Sequence, residues 1–305
     1  MVWLTNPYRF GAPPIAAISD TWEWIFLGND ADGMQIDFIS MAATPGGANL
    51  LTGGTASSSS LNGKPAMLAP SNGFDAINGT TANSNMTSGL RLRYVTPSPI
   101  SPVEFSITNY SNNGSQAPKI IVLRALIGGQ WVLFGWHFLT WVNAGVTTHT
   151  VAVPAVGQID FSRARVRAWR FRVDTVQSDV ITRIRKMEMA NSSGGANIVT
   201  AGLAFVDSYV GAGGINQIVA GATNDRWASS SAQTFPNWCG LAFLSDTPAP
   251  YEFRITSNQT ASDPLAPKSG GIDWTADGVT WTQTDAYSAL AAWGASETRT
   301  FTISP

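Results

Sequence analysis

The chain has 305 residues and a formal net charge of −2, and only 12% of its residues are charged against 44% hydrophobic. With 29 Gly and 17 Pro, this composition excludes a disordered tail and also a coiled coil, which is built from Glu, Lys, Ala and Leu. The near-neutral balance gives no global field for nucleic acid or an anionic membrane, and the single cysteine, Cys239, cannot close an internal disulfide.

The length admits two domains, each able to bury its own core. Residues 1–20 contain Pro7-Tyr8-Arg9-Phe10-Gly11-Ala12-Pro13-Pro14, where proline fixes φ and withholds donors, so an extended N-terminal arm is expected. Tyr8, Arg9 and Phe10 are its candidate interface residues, laid over a neighbouring subunit; the other reading of this segment is a disordered leader. No apolar run follows a basic segment here, and no stretch reaches 18 apolar residues, so neither Sec export nor membrane insertion is expected.

Past the arm the chain repeats itself. Pro45-Gly46-Gly47-Ala48-Asn49-Leu50 returns 148 residues later as Ser193-Gly194-Gly195-Ala196-Asn197-Ile198. Pro102-Val103-Glu104-Phe105-Ser106-Ile107-Thr108 returns at the same spacing as Pro250-Tyr251-Glu252-Phe253-Arg254-Ile255-Thr256. Trp22 with Trp169, Ala117-Pro118-Lys119 with Ala266-Pro267-Lys268, and Trp131 with Trp281 follow in order. The expected organisation is a domain over 21–153, a linker over 154–159 and a second domain over 160–305.

Val103–Asn109 and Tyr251–Ser257 alternate apolar and polar residues, which on strands places Phe105 with Ile107, and Phe253 with Ile255, on buried faces. Gly128-Gly129 separates two apolar runs, and Asp277-Gly278 stands between Ile272–Thr275 and Val279–Thr282, both hairpin signals. No long helix is expected. Short strands with frequent turns argue for a sandwich or jelly roll in each half.

Arg163, Arg165, Arg167, Arg170, Arg172, Arg183, Arg185 and Lys186 crowd the start of the second half. Two readings stand: a solvated strand face, or a basic stripe with Arg163, Arg165 and Arg167 as interface residues for an acidic neighbour. Trp22, Trp131, Trp169 and Trp281 recur between halves and are assigned to the cores, whereas Trp3, Trp136, Trp141, Trp227 and Trp238 are freer to make contacts. The two histidines, His137 and His149, form no triad or zinc spacing, no nucleotide-binding glycine loop occurs, and no carboxylate pair is brought together. An enzyme, a cofactor and a metal site are therefore not expected, and Cys239 is expected to pack as a small apolar residue.

The series Trp169-Arg-Phe-Arg-Val173, Gly194-Gly-Ala-Asn-Ile198, Ala222-Thr-Asn-Asp-Arg-Trp227, Asn237-Trp238, Tyr251-Glu-Phe-Arg-Ile-Thr256 and Trp274–Trp281 resembles the discoidin family, also called factor V/VIII type C or galactose-binding-like domains. The resemblance implies an all-β protein of two tandem jelly-roll β-sandwich domains with ligand loops at one end. It implies a candidate glycan loop of Asn224, Asp225, Arg226, Trp227 and Trp238. Ala220-Gly221-Ala222-Thr223 stands where many glycan-binding relatives carry Asp-Gly-Asn-Thr, so two oxygen donors for calcium are missing. The low-charge, Gly/Ala/Ser-rich style is similar to copies in tailed-phage virion proteins. That implies a virion structural component, assembled in the host cytoplasm, partnered by other virion proteins and by itself. The alternative is a module that binds a host-surface glycan.

Overall fold

The computed structural model describes residues 18–29, 33–60, 66–75, 81–84, 88–110, 114–142, 145–154, 168–179, 181–199, 202–207, 217–220, 227–229, 235–243, 250–258 and 263–303. They form an all-β protein of antiparallel sheets, as the composition implies. The first half contains β1 (Ser19–Gly28), β2 (Met34–Ile36), β3 (Phe38–Ala42), β4 (Thr55–Ser60), β5 (Ala82–Ser84), β6 (Leu90–Ile100), β7 (Glu104–Thr108), β8 (Ile120–Ile127), β9 (Gln130–Phe138) and β10 (Thr148–Ala152). The second contains β11 (Ala168–Val176), β12 (Arg183–Ile184), β13 (Lys186–Ala190), β14 (Gly202–Val206), β15 (Trp227–Ala228), β16 (Asn237–Phe243), β17 (Glu252–Thr256), β18 (Pro267–Thr275), β19 (Thr282–Tyr287) and β20 (Thr298–Thr302).

A five-stranded sheet, β4-β6-β1-β8-β9, packs on a three-stranded sheet, β10-β7-β3, with β2 and β5 paired beside them. The second half has the same plan: β14-β16-β11-β18-β19, then β13-β17-β20, with β12 and β15 paired. Every strand of the first half has its counterpart ten strands later. In each half alternate residues of the large sheet meet alternate residues of the small one. Trp22, Trp24, Phe26, Leu92 and Leu123 close on Met41, Phe105 and Ile107, and Trp169, Phe171, Leu241 and Ile272 close on Met187, Met189, Phe253 and Ile255. Cys239 is fully buried, its Sγ 3.8 Å from Met187 Sδ, and burial pushes its thiol pKa well up, so it packs as an apolar side chain.

The two best-matched sequence segments of each half touch one another. Gly46 N–H donates to Glu104 Oε1 at 2.6 Å, and Gly194 N–H donates to Glu252 Oε1 at 3.1 Å. Asn49 Oδ1 accepts from the Met41 and Leu51 amides, and Asn197 Oδ1 from those of Met189 and Val199. Gly46 and Gly194 stand at φ +68° and +63°, a left-handed backbone open to glycine at little cost. The β8–β9 turn places Gly128 and Gly129 at φ +58° and +79°, the hairpin read from sequence. In the second half the hairpin is present but its loop is longer. Asp277 Oδ1 accepts from the Val279 and Thr280 amides and the Thr275 hydroxyl, and this loop delays the expected strand to Thr282.

The outer faces of the two large sheets are joined. Ile25, Leu27, Ile120 and Val122 of the first half and Ala168, Phe205, Trp238 and Ala242 of the second form one buried apolar cluster. Trp136 Nε1–H donates to Ala276 O across the joint at 2.8 Å. The strand registers give each patch its counterpart in the other half. Arg172, Asp174, Ser269 and Gly271 stand where the first half has its apolar four, and Thr21, Ser57, Arg91 and the half-exposed Val95 stand where the second does. The joint is therefore heterologous and ends after one step, because neither half repeats the surface that would extend it.

Candidate functional site

The outer face of each large sheet also carries a buried ion pair. In the first half Glu23 is fully buried and receives Arg124 Nε at 2.7 Å and Arg93 Nη2 at 2.8 Å. In the second, Asp273 is 2% exposed and receives Arg170 Nε at 2.7 Å and Arg172 Nε at 3.1 Å. Glu23 pairs across strands with Arg124, and Arg170 with Asp273, so the same two positions carry opposite charges in the two halves. The recurring tryptophans cap these pairs. Arg124 lies 4.1 Å from the Trp131 centroid, and Arg170 lies 4.3 Å from Trp281 and 5.1 Å from Trp238. Trp131 and Trp281 are thus half-buried cation partners on the outer faces, correcting the expectation that they fill the cores. Trp22 and Trp169 do fill them.

Beside the second pair lies a hollow of about 320 Å³ lined by Arg170, Arg172, Pro236, Asp273, Trp281 and Gln283. Burial lowers the Arg170 guanidinium pKa, opposed by the Asp273 charge. Arg170 Nη1, Asp273 Oδ1 and Trp281 Nε1 are buried atoms without a hydrogen-bond partner. These three atoms are themselves covered, and the surface the hollow offers is the polar, indole-walled lining of Arg170, Arg172, Asp273, Trp281 and Gln283. Sequence reasoning missed this hollow because Asp273, between Ile272 and Trp274 in a strand, carries no motif.

Of the expected glycan residues, Asn224, Asp225 and Arg226 lie outside the described residues. Trp227 is 2% exposed in the second core and Trp238 is 1% exposed in the joint between halves, so neither indole face is open to a sugar. Tyr8, Arg9, Phe10, Arg163, Arg165 and Arg167 also lie outside the described residues. The described basic residues do not form one stripe. Besides Arg170 and Arg172, Arg183 reaches Asp263 at 3.5 Å, Arg185 the Ser296 hydroxyl at 2.8 Å and Lys186 Glu188 at 2.9 Å. Trp136 bonds across the joint, and Trp141 donates to Pro118 O and meets His149 edge-on.

His137 faces Phe105 at 5.2 Å between ring centroids, and burial lowers its pKa from 6.5 to about 4. The unfolded chain therefore binds the proton first as pH falls. Stability is full above about pH 6.5 and declines by about 1.4 kcal/mol per unit down to about pH 4, on the order of 3 kcal/mol in all. His137→Phe is expected to flatten that decline in urea titrations at pH 7.5 and 4.5; an unchanged pH dependence would contradict the assignment.

Among the described residues no three His, Cys, Asp or Glu are grouped to hold a metal, and no helix is long and apolar enough to cross a membrane. No family model, curated protein or solved structure matches the chain.

Proposed function

We propose that the chain is a non-enzymatic structural component of a tailed-phage virion, a tail, baseplate or capsid-surface protein that acts by assembly with other virion proteins and with itself. The observation that carries this reading is the joint between the halves: within this chain one sandwich already docks on another through an apolar face, and contacts with further copies or partners would use other surfaces. Glu23 and Asp273 are held in ion pairs, His137 is neutral at ordinary pH, and the Cys239 thiol is sealed in the core. The discoidin-like motifs support the virion setting only as a resemblance.

The test is the native mass by light scattering, with the whole chain and with residues 1–20 deleted. A defined oligomer that dissociates without the arm is expected, and a monomer in both cases overturns self-assembly. The second reading, a glycan-binding adsorption module, is favoured by the polar, indole-walled hollow at Arg170, Asp273 and Trp281. Its site is then this recess, in place of a surface built on the Trp227 and Trp238 rings.

A further inference from the structure

The two small sheets differ at several positions, and one of them bears on binding. In the second half Arg254 folds over the Gly194-Gly195 turn: its Nε donates to Glu252 Oε1 at 2.8 Å and its Nη2 to the Gly195 carbonyl. Glu252 is 2% exposed beneath it. Residue 106 occupies the same register in the first half and is serine. Ser106 pairs with Thr150 as Arg254 pairs with Thr300, and with Ser40 as Arg254 pairs with Glu188. Where the guanidinium lies in the second half, the first has a hollow of about 190 Å³ lined by Ser40, Ala42, Gly46, Gly47, Glu104, Ser106 and Thr150.

Both acceptors that hold Arg254 are kept in the first half. Glu104 retains its bond from the Gly46 amide, the Gly46-Gly47 turn has the backbone of Gly194-Gly195, and among the described residues no cation pairs with Glu104. The floor adds two hydroxyls, Ser106 and Thr150, bonded to each other at 2.8 Å. A carboxylate and a carbonyl side by side match the planar fork of a guanidinium better than the point charge of an ammonium.

We propose that this hollow is a socket for an arginine side chain presented by a partner protein, docked as Arg254 docks within the second half. The partner's role rests on the assembly reading; the socket chemistry does not, and the two fail separately. The probe is Nα-acetyl-arginine amide, with Nα-acetyl-lysine amide as control, titrated into the full chain while the Gly46, Gly47 and Ser106 amide resonances are followed. Saturable shifts on the order of millimolar are expected for this open, carboxylate-based site, with the lysine probe about tenfold weaker or more. Ser106→Arg is expected to fill the socket from within, abolish the shifts and raise the melting temperature. Glu104→Gln, which keeps the acceptor for the Gly46 amide, should also abolish them. Absent or non-saturating shifts, equal response to lysine, or shifts surviving in Ser106→Arg would overturn the socket. Probe binding by a chain that is monomeric with and without its arm would leave the socket standing and remove self-assembly.

Discussion

Glu23→Gln is expected to cost about 3–5 kcal/mol, the usual loss when one member of a buried ion pair is removed. The carboxylate is fully buried and serves two guanidiniums, and the Arg124 side chain is only 8% exposed. Removing its charge leaves Arg124 buried without a counter-ion, with only the Trp131 ring against it. The second half shows how the loss can be undone. There the strand equivalent to β1 carries arginine and the strand equivalent to β8 carries aspartate, and Gly240 stands in the register of Arg93. Glu23→Arg alone is expected to be at least as damaging as Glu23→Gln, because three arginines then converge. Adding Arg124→Asp and Arg93→Gly reproduces the Arg170–Asp273 pair, without the second arginine, Arg172, whose counterpart is Ile25, and should restore about half of the loss, since couplings between contacting residues are not additive. Urea unfolding of the single, double and triple variants measures this. A triple variant no more stable than Glu23→Arg would show that the two ion pairs are not interchangeable.

Gly240→Ala is expected to cost about 3 kcal/mol, the upper end for overpacking. A Cβ at this position would lie 2.4 Å from Phe205 Cζ and 2.5 Å from the Trp169 carbonyl oxygen. Neither neighbour can retreat. The carbonyl belongs to the central strand β11, and the Phe205 ring is fully buried in the joint, 6.0 Å from Trp281, with its Cβ against Gly28. The glycine thus makes room for the aromatic ring that the second half lays on the first. Thermal and urea unfolding would record the loss, and a change within about 0.5 kcal/mol, the range of an indifferent surface substitution, would contradict the packing described for the joint.

Self-similarity was legible where the two halves solve the same problem with the same residues. The Gly46 and Gly194 turns and the Glu104 and Glu252 strands recur at one spacing, and each turn is in contact with its strand. Strand alternation placed Phe105, Ile107, Phe253 and Ile255 correctly, each fully buried. What stayed hidden lies in the differences between the halves. The first half's side of the joint is Ile25, Leu27, Ile120 and Val122, at positions whose counterparts are polar or glycine, and a search for repeats passes over such positions. The ion pairs escaped for the same reason, since Glu23 and Arg170 share a position but not a sign. Recurrence also misled once: Trp131 and Trp281 recur because each caps a buried arginine, and repetition alone cannot distinguish a capping ring from a core ring. Trp227, placed by its motif in an exposed loop, is turned into the core, where its register counterpart in the first half is Ala82.

Two copies of one sandwich are joined face to face into a single body. Differential scanning calorimetry of the full chain tests it most directly. One transition is expected, with the calorimetric enthalpy equal to the van't Hoff enthalpy. Two transitions, or a calorimetric enthalpy about twice the van't Hoff value, would mean that the halves unfold independently and that the apolar joint does not couple them.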